Sequence, residues 1–306
     1  MQPPRRILAA IPPTELGPII AARAFAVAGR FGASVHLVAV VYDPYLAGER
    51  FSDSPDLQAA RDELVVARRD ELAALANTGD AEGVTTSVAA QWCYPVADGV
   101  LQAVADYQPD LVVAGTFHHS PLQRFGLVNT DWQLIRKLES PVLLVRSAEF
   151  DGYRQVMVAV DPVHEHDKPA ALDDSLLNAG ELLASAWQGH LQVLHAYLAG
   201  EYVPFVAPGA ALPPPFRGET PQVVHRRALD DLVAGRGLPD AQVLLETGDP
   251  RKVIPEAAAR LGADLVVTGA VARSRLHRWL IGSTAESVLD RLDCDALIIK
   301  PGAAGA

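Results

Sequence analysis

Displaced by 154 positions, the sequence falls on itself: Asp110–Arg146 lies over Asp264–Lys300 without a gap, with DLVVAG on DLVVTG and PVLLVR on DALIIK. Between these ends Ser120 meets Ser274, Leu122 meets Leu276, Arg124 meets Arg278, Thr130 meets Thr284 and Leu138 meets Leu292. A displacement of 149 sets Ile7–Ile11 on Val156–Val160, and one of 155 sets Pro95 on Pro250, so small insertions separate the matching segments. Self-similarity of this kind is the mark of a duplicated folding unit, and it means that both halves must share one architecture. The copies run over 1–147 and 153–301, each of ordinary domain size for a chain of 306 residues.

Within each copy, short β-branched runs alternate with longer segments of helical period, which predicts an α/β fold: two tandem open five-stranded parallel sheets with helices on both faces. Strands are expected near 6–11, 35–41, 85–90, 110–115 and 141–146, and again near 155–160, 190–196, 242–246, 264–269 and 295–300. Pro55–Thr78 carries Leu57, Leu64, Val65, Leu72 and Leu75 on one stripe and should form an amphipathic helix. Pro and Gly break the pattern at Asp43–Pro55 and at Leu198–Gln222, which read as long loops after the second strand of each copy. The second loop contains Tyr202, Phe205, Val206 and Phe216, apolar content suited to a lid or to packing on its own domain. The terminal GAAGA is expected to be disordered.

A net charge of −11 argues against a general nucleic-acid or membrane-surface binder, since both reward excess Lys and Arg. Two cysteines, Cys93 and Cys294, with no paired spacing, suggest neither a disulfide framework nor a zinc finger. With no apolar run near ~20 residues and no signal-like start, a soluble cytoplasmic protein is expected.

The segment from Gly269 to Glu286 follows a predicted strand and leads into a predicted helix. Ligands of open parallel sheets sit outside the carboxyl ends of the strands, where glycines let backbone N–H groups approach phosphate oxygens. A helix beginning at Ser283 or Thr284 would add free N–H groups, and both hydroxyls can donate. Between the glycines stand Arg273, Arg275, His277 and Arg278, a basic cluster in an acidic chain, of which Arg273 is the best candidate for a phosphate contact. A solvated surface accounts for the others.

These residues resemble the nucleotide motif of the universal stress protein family, Gly-x2-Gly-x9-Gly-(Ser/Thr). Gly269 matches its first glycine, Ala272 stands at the second, and Gly282 and Ser283 match the last pair. The resemblance implies an Asp at the end of the first strand, near adenine or ribose, and VMVAVDP supplies Asp161, followed by Pro162. It places Ala196, with Tyr197, where backbone meets the base. The whole chain is similar to tandem two-domain members, and FHHSPLQRFGLVNTDW to the E-type. In the first copy Gly115 persists, but His118, Val128, Asn129 and Pro12 replace the second glycine, third glycine, serine and first-strand Asp. Val128 puts a branched side chain where backbone should touch phosphate, and Asp131 would repel an anion, so the first copy should lack this site.

The resemblance therefore implies a stress-response protein that binds ATP or a related adenine nucleotide in its second copy, at Asp161, Pro162, Ala196, Gly269, Ala272, Arg273, Gly282, Ser283 and Thr284. Catalysis would be absent or limited to slow hydrolysis, because no P-loop, nucleophile elbow or acid/base carboxylate pair occurs. The alternative is an interaction scaffold that binds a hydrophobic ligand or protein partner through loop 198–222 and the first copy, with a vestigial nucleotide site. The family resemblance also implies pairing through the last strands of the two copies, an intramolecular pseudo-dimer, with homodimerisation open. No metal is expected: His164, His166 and Asp167 beside Asp161, and the pair His118-His119, lack fixed ligand geometry. His36 and His195 read as hydrogen-bonded strand histidines, and Trp92, Trp132, Trp187 and Trp279 as packing residues.

Overall fold

In this computed structural model the described residues are 1–47, 54–116, 130–146, 148–163, 170–198, 220–234, 236, 242–270 and 283–301. Contacts divide the chain into two compact units, Pro3–Phe150 and Asp151–Ala306, the latter joined by Met1–Gln2. Both are parallel α/β sheets covered by helices, as the alternating runs predict.

The first unit contains β1 (Arg6–Ala10), α1 (Leu16–Phe31), β2 (Ser34–Val41), α2 (Pro44–Ala47), α3 (Pro55–Ala81), β3 (Thr86–Trp92), α4 (Val96–Tyr107), β4 (Leu111–Gly115), α5 (Thr130–Lys137) and β5 (Val142–Val145). Its strands lie in the order β3-β2-β1-β4-β5, all parallel. The second contains β6 (Gln155–Ala159), α6 (Ala170–Ala186), β7 (His190–Tyr197), α7 (Pro221–Ala234), β8 (Gln242–Thr247), α8 (Pro250–Leu261), β9 (Leu265–Gly269), α9 (Ser283–Leu289) and β10 (Asp295–Ile299). Its order, β8-β7-β6-β9-β10, repeats the first, again all parallel. The predicted strands therefore form within a residue or two of their expected bounds.

In each unit the first strand is central, paired on one edge with the second strand and on the other with the fourth. Strand order reverses there, and right-handed crossovers leaving in opposite directions put their helices on opposite faces. Accordingly α1 packs beside α3, and α4 beside α5. Strands covered on both faces must be apolar along their whole length: Ile7, Leu8, Val112, Val113, Val156, Val158, Val266 and Val267 are all without solvent contact.

Two sequence expectations are refined. The loop after β2 contains the helical turn α2, and α3 runs past Thr78 to Ala81. The apolar stripe of α3 is buried at Leu72, Ala76 and Gly79, whereas Leu64 nearer its start is 38% exposed. No residue of α3 before Leu72 is buried. Residues 199–219, most of the second long loop, and the terminal residues 302–306 lie outside the described residues.

The repeated Asp that opens DLVV has a structural duty. Asp110 Oδ2 accepts from the Arg5 and Arg6 N–H groups at 2.8 and 2.9 Å, and Asp264 Oδ2 from Arg154 and Gln155 at 2.9 and 2.8 Å. Each carboxylate thus ties the start of the fourth strand to the start of the first, at the amino edge of the sheet. Close approach also fixes the turn from α6 into β7, where a Cβ on Gly189 would lie 2.6 Å from the Tyr153 carbonyl oxygen. Replacing Asp264 with Ala leaves two strand N–H groups unmatched and should cost ~1–2 kcal/mol in urea unfolding. Asp264→Asn, which keeps an acceptor, should lose less.

Candidate functional site

At the end of β6 the backbone runs Val160, Asp161, Pro162. The Val160 N–H donates to the Leu194 carbonyl at 2.9 Å, the last sheet-type bond on that side. The Val160 carbonyl is met by the ring of His195, Nδ1 at 3.1 Å, and His195 Nε2 lies 2.7 Å from Nδ1 of His225 on α7. A carbonyl only accepts, so His195 Nδ1 carries a proton and donates. In the neutral pair, His195 Nε2 then accepts and His225 Nδ1 donates. Both histidines are 1% exposed. The ring of Tyr197 stacks on His225 at 4.3 Å, closing an aromatic floor beneath the carboxyl ends of β6 and β7.

Asp161 stands above this floor. Its N–H donates to Oδ1 of Asp173, a 1%-exposed carboxylate in the first turn of α6, at 3.1 Å. Its own Oδ1 is sheltered from solvent and has no hydrogen-bond partner among the described residues. A shielded carboxylate oxygen without a donor is costly, and a hydroxyl or amino group placed there would relieve it.

Of the residues singled out in the sequence, Asp161 and Pro162 follow β6, Ala196 is the penultimate residue of β7, and Gly269 ends β9. These three strands are neighbours in the order β7-β6-β9, so the residues share one sheet edge at the strand-order reversal. The α9 helix opens at Ser283, with Thr284 half-buried next to it. Ala272, Arg273 and Gly282, with Arg275, His277 and Arg278, lie outside the described residues, as do His118, His119, Val128 and Asn129 and the loop histidines His164 and His166. Among the described residues no group of three His, Cys, Asp or Glu could hold a metal ion.

The first glycine of the motif has a packing role. A Cβ on Gly269 would lie 2.8 Å from Leu172 Cδ2 and 3.6 Å from Leu176 Cδ1, both on α6. In the first copy, a Cβ on Gly115 would meet Ile20 at 2.8 Å and Leu16 at 3.3 Å, on α1. Close helix-to-strand packing thus requires glycine in both copies, which explains why Gly115 persists where the rest of the motif does not.

At the equivalent edge of the first copy, Pro12 replaces the Asp, and the Arg68 guanidinium of α3 donates from Nη2 to the Pro12 carbonyl at 2.6 Å and to that of Ile11 at 3.3 Å. Nearer the start of α3, Arg61 donates to the Leu46 and Ala47 carbonyls and lies over Trp92. Of the strand histidines, His195 is hydrogen-bonded as described, and His36 pairs its Nδ1 with Ser87 Oγ at 2.8 Å and stacks on Tyr107. Trp187 packs edge-on against Tyr153.

Three residues at these edges escaped the sequence: Arg68, Asp173 and His225. The only signal for His225 was its place four residues before Leu229 on a buried helical stripe, which marks burial and not its partner. Burial, then the neighbouring His195, hold the His225 imidazole down at about 4 from its usual 6.5, against an opposing pull from Asp161. Below pH 6.5 the unfolded chain binds a proton that the folded chain refuses until about pH 4. The stability due to this neutral, buried ring is therefore complete above pH 6.5 and is lost as the pH falls toward 4, an amount on the order of 2–3 kcal/mol. Urea unfolding between pH 4.5 and 7.5 should show stability rising with pH, and His225→Asn should flatten that slope. Gly269→Ala should lower stability by ~1 kcal/mol with or without ligand, because it crowds Leu172.

The model of the universal stress protein family matches residues 4–146 and again 152–300. Universal stress protein E of Escherichia coli K12 is 31% identical over 224 residues, 72% of this chain and 69% of that protein. The universal stress protein E homolog of Haemophilus influenzae Rd is 31% identical over 217 residues, 69% and 68%. Among solved structures, a protein of Pseudomonas aeruginosa UCBPP-PA14 described as a universal stress protein superposes with a TM-score of 0.70 at 26% identity, covering 97% of this chain and 94% of that one. A universal stress protein of Archaeoglobus fulgidus DSM 4304 shares the fold at 16% identity, with a TM-score of 0.68 over 96% of this chain and 98% of that one. With two consecutive matches that span nearly its whole length, the chain belongs to the universal stress protein family.

Proposed function

We propose that the second copy binds an adenine nucleotide, ATP in the first instance, and that the protein serves as a cytoplasmic stress-response binding protein with no catalysis beyond slow hydrolysis. The observation that carries this reading is Asp161. Its shielded Oδ1, unpartnered among the described residues, stands at the strand-order reversal, where open parallel sheets bind ligands. It suits the donors of a ribose or an amino-purine. The sequence Gly269-Ala-Val-Ala272-Arg273, closing at Gly282-Ser283-Thr284, supports a phosphate position beside it, with backbone N–H groups and hydroxyls as donors.

A second reading, an interaction scaffold, is favoured by apolar side chains exposed in the first copy. Tyr45 is 92% exposed and Tyr94 63%, the latter stacked on Tyr42 at 4.3 Å. Under that reading partner capture survives Gly282→Val and is lost when part of 203–216 is deleted.

Thermal unfolding with and without millimolar ATP tests the nucleotide reading. ATP at ~100 times its dissociation constant should add about 2.7 kcal/mol of stability, and Asp161→Ala should weaken binding by about tenfold or more. A protein that purifies without nucleotide and shows no melting shift overturns the reading. Labelled ATP turned over at equal background rates by wild type and Asp161→Ala removes the hydrolytic extension.

A further inference from the structure

The two copies supply an internal comparison at the end of the first strand. Gly115 packs on Leu16 and Ile20, and Gly269 on Leu172 and Leu176, which makes Gly17 of α1 and Asp173 of α6 equivalent positions. On the helices that precede the third strands, Leu72 and Leu229 are both wholly buried, and four residues before them stand Arg68 and His225. The carbonyls of Ile11 and Val160 are equivalent through the displacement of 149.

The copies satisfy that carbonyl in opposite ways. In the first, the Arg68 side chain, 15% exposed, lays its guanidinium on the Ile11 and Pro12 carbonyls, and Nη2 stands 3.9 Å from where a Cβ on Gly17 would be. Glycine at 17 and proline at 12 leave the guanidinium room, and the carboxylate that meets it is Glu71 of its own helix, on Nη1. In the second, the carbonyl is met from within the core by His195, which is held by His225. Here the side chains of Asp161 and Asp173 occupy the places of Pro12 and Gly17. Each copy thus carries a matched set: arginine with glycine and proline, or histidine with two carboxylates.

We propose that the residue at this helix position decides which copy accepts a ligand. Arg68 fills and satisfies the end of β1 and closes the first copy to a sugar-phosphate ligand, whereas His225, acting through His195, leaves Asp161 to the hydroxyl or amino donors of one. His225 is on this account a positioning residue, and the assignment rests on the nucleotide reading of the second copy. An arginine placed at 225 would meet the carboxylates of Asp161 and Asp173 and engage them as no ligand could displace at modest affinity, since guanidinium–carboxylate pairs are charge-assisted and bidentate.

The test is calorimetric titration of the full chain with ATP, for wild type, His225→Arg, His225→Gln and Arg68→Ala. Wild type should bind at one site, His225→Arg at least ~10-fold more weakly while still unfolding cooperatively, and His225→Gln should recover most of the affinity. Arg68→Ala should leave the second-copy affinity unchanged. Wild-type affinity in His225→Arg overturns the proposal. Should wild type itself bind no ATP, the nucleotide reading falls, and carbodiimide amidation of Asp161 in ligand-free protein decides the remaining point by mass spectrometry. Protection of Asp161 in His225→Arg relative to wild type upholds the role of position 225, and equal labelling overturns it.

Discussion

The first strand of each copy is hydrogen-bonded along both edges, to the second strand on one side and to the fourth on the other, and the arrangement at the carboxyl edge follows from where that pairing stops. A central parallel strand buried on both faces cannot leave its last carbonyl bare, because an unmatched buried acceptor costs on the order of 1–3 kcal/mol. The sheet supplies no partner for the carbonyl of Ile11 or of Val160, so a side chain must. The choice of that side chain sets the charge and the free volume of the carboxyl edge. A guanidinium brings a positive charge and fills space; a neutral imidazole pair brings neither and lies beneath the surface.

The amino edge of the same sheet is fixed by a different device that both copies share. Asp110 and Asp264 each bridge two N–H groups at the start of the first strand. Gly115 and Gly269, at the far ends of the strands those carboxylates open, admit α1 and α6 into close contact. These are the features that duplication has preserved, and they are structural. Three differences between the copies, Pro12 against Asp161, Gly17 against Asp173 and Arg68 against His225, lie at the carboxyl edge, where a fold of this class binds ligands. The buried strand positions also change side chain, Ile7 against Val156 and Leu8 against Met157, but stay apolar.

A consequence is that the glycine motif carries less information than its spacing suggests. Its first member is needed for helix-to-strand contact whether or not a ligand is present. The nucleotide reading therefore leans more on Asp161, whose shielded oxygen has no structural task among the described residues, than on Gly269. The acidic pair of this proposed site suits the ribose or base end of a nucleotide.

The sequence by itself determined the class of fold, the two copies, the strands within a residue or two, and the candidate positions Asp161, Ala196 and Gly269 at the ends of the first, second and fourth strands of the second copy. These follow from local and periodic rules: β-branched runs covered on both faces, helical stripes, and a displacement that superposes one half on the other. Only the tertiary structure decided that the DLVV aspartates clamp the first strand, that the motif's first glycine serves packing, that α3 is buried only from Leu72 onward, and that Arg68 and His195 end on equivalent carbonyls. Arg68 reaches across 56 residues to Pro12, and His195 pairs with His225 across 30, and no periodicity records such contacts. A buried polar group finds its partner by position in space, and sequence spacing fixes that position only within a single helix or strand.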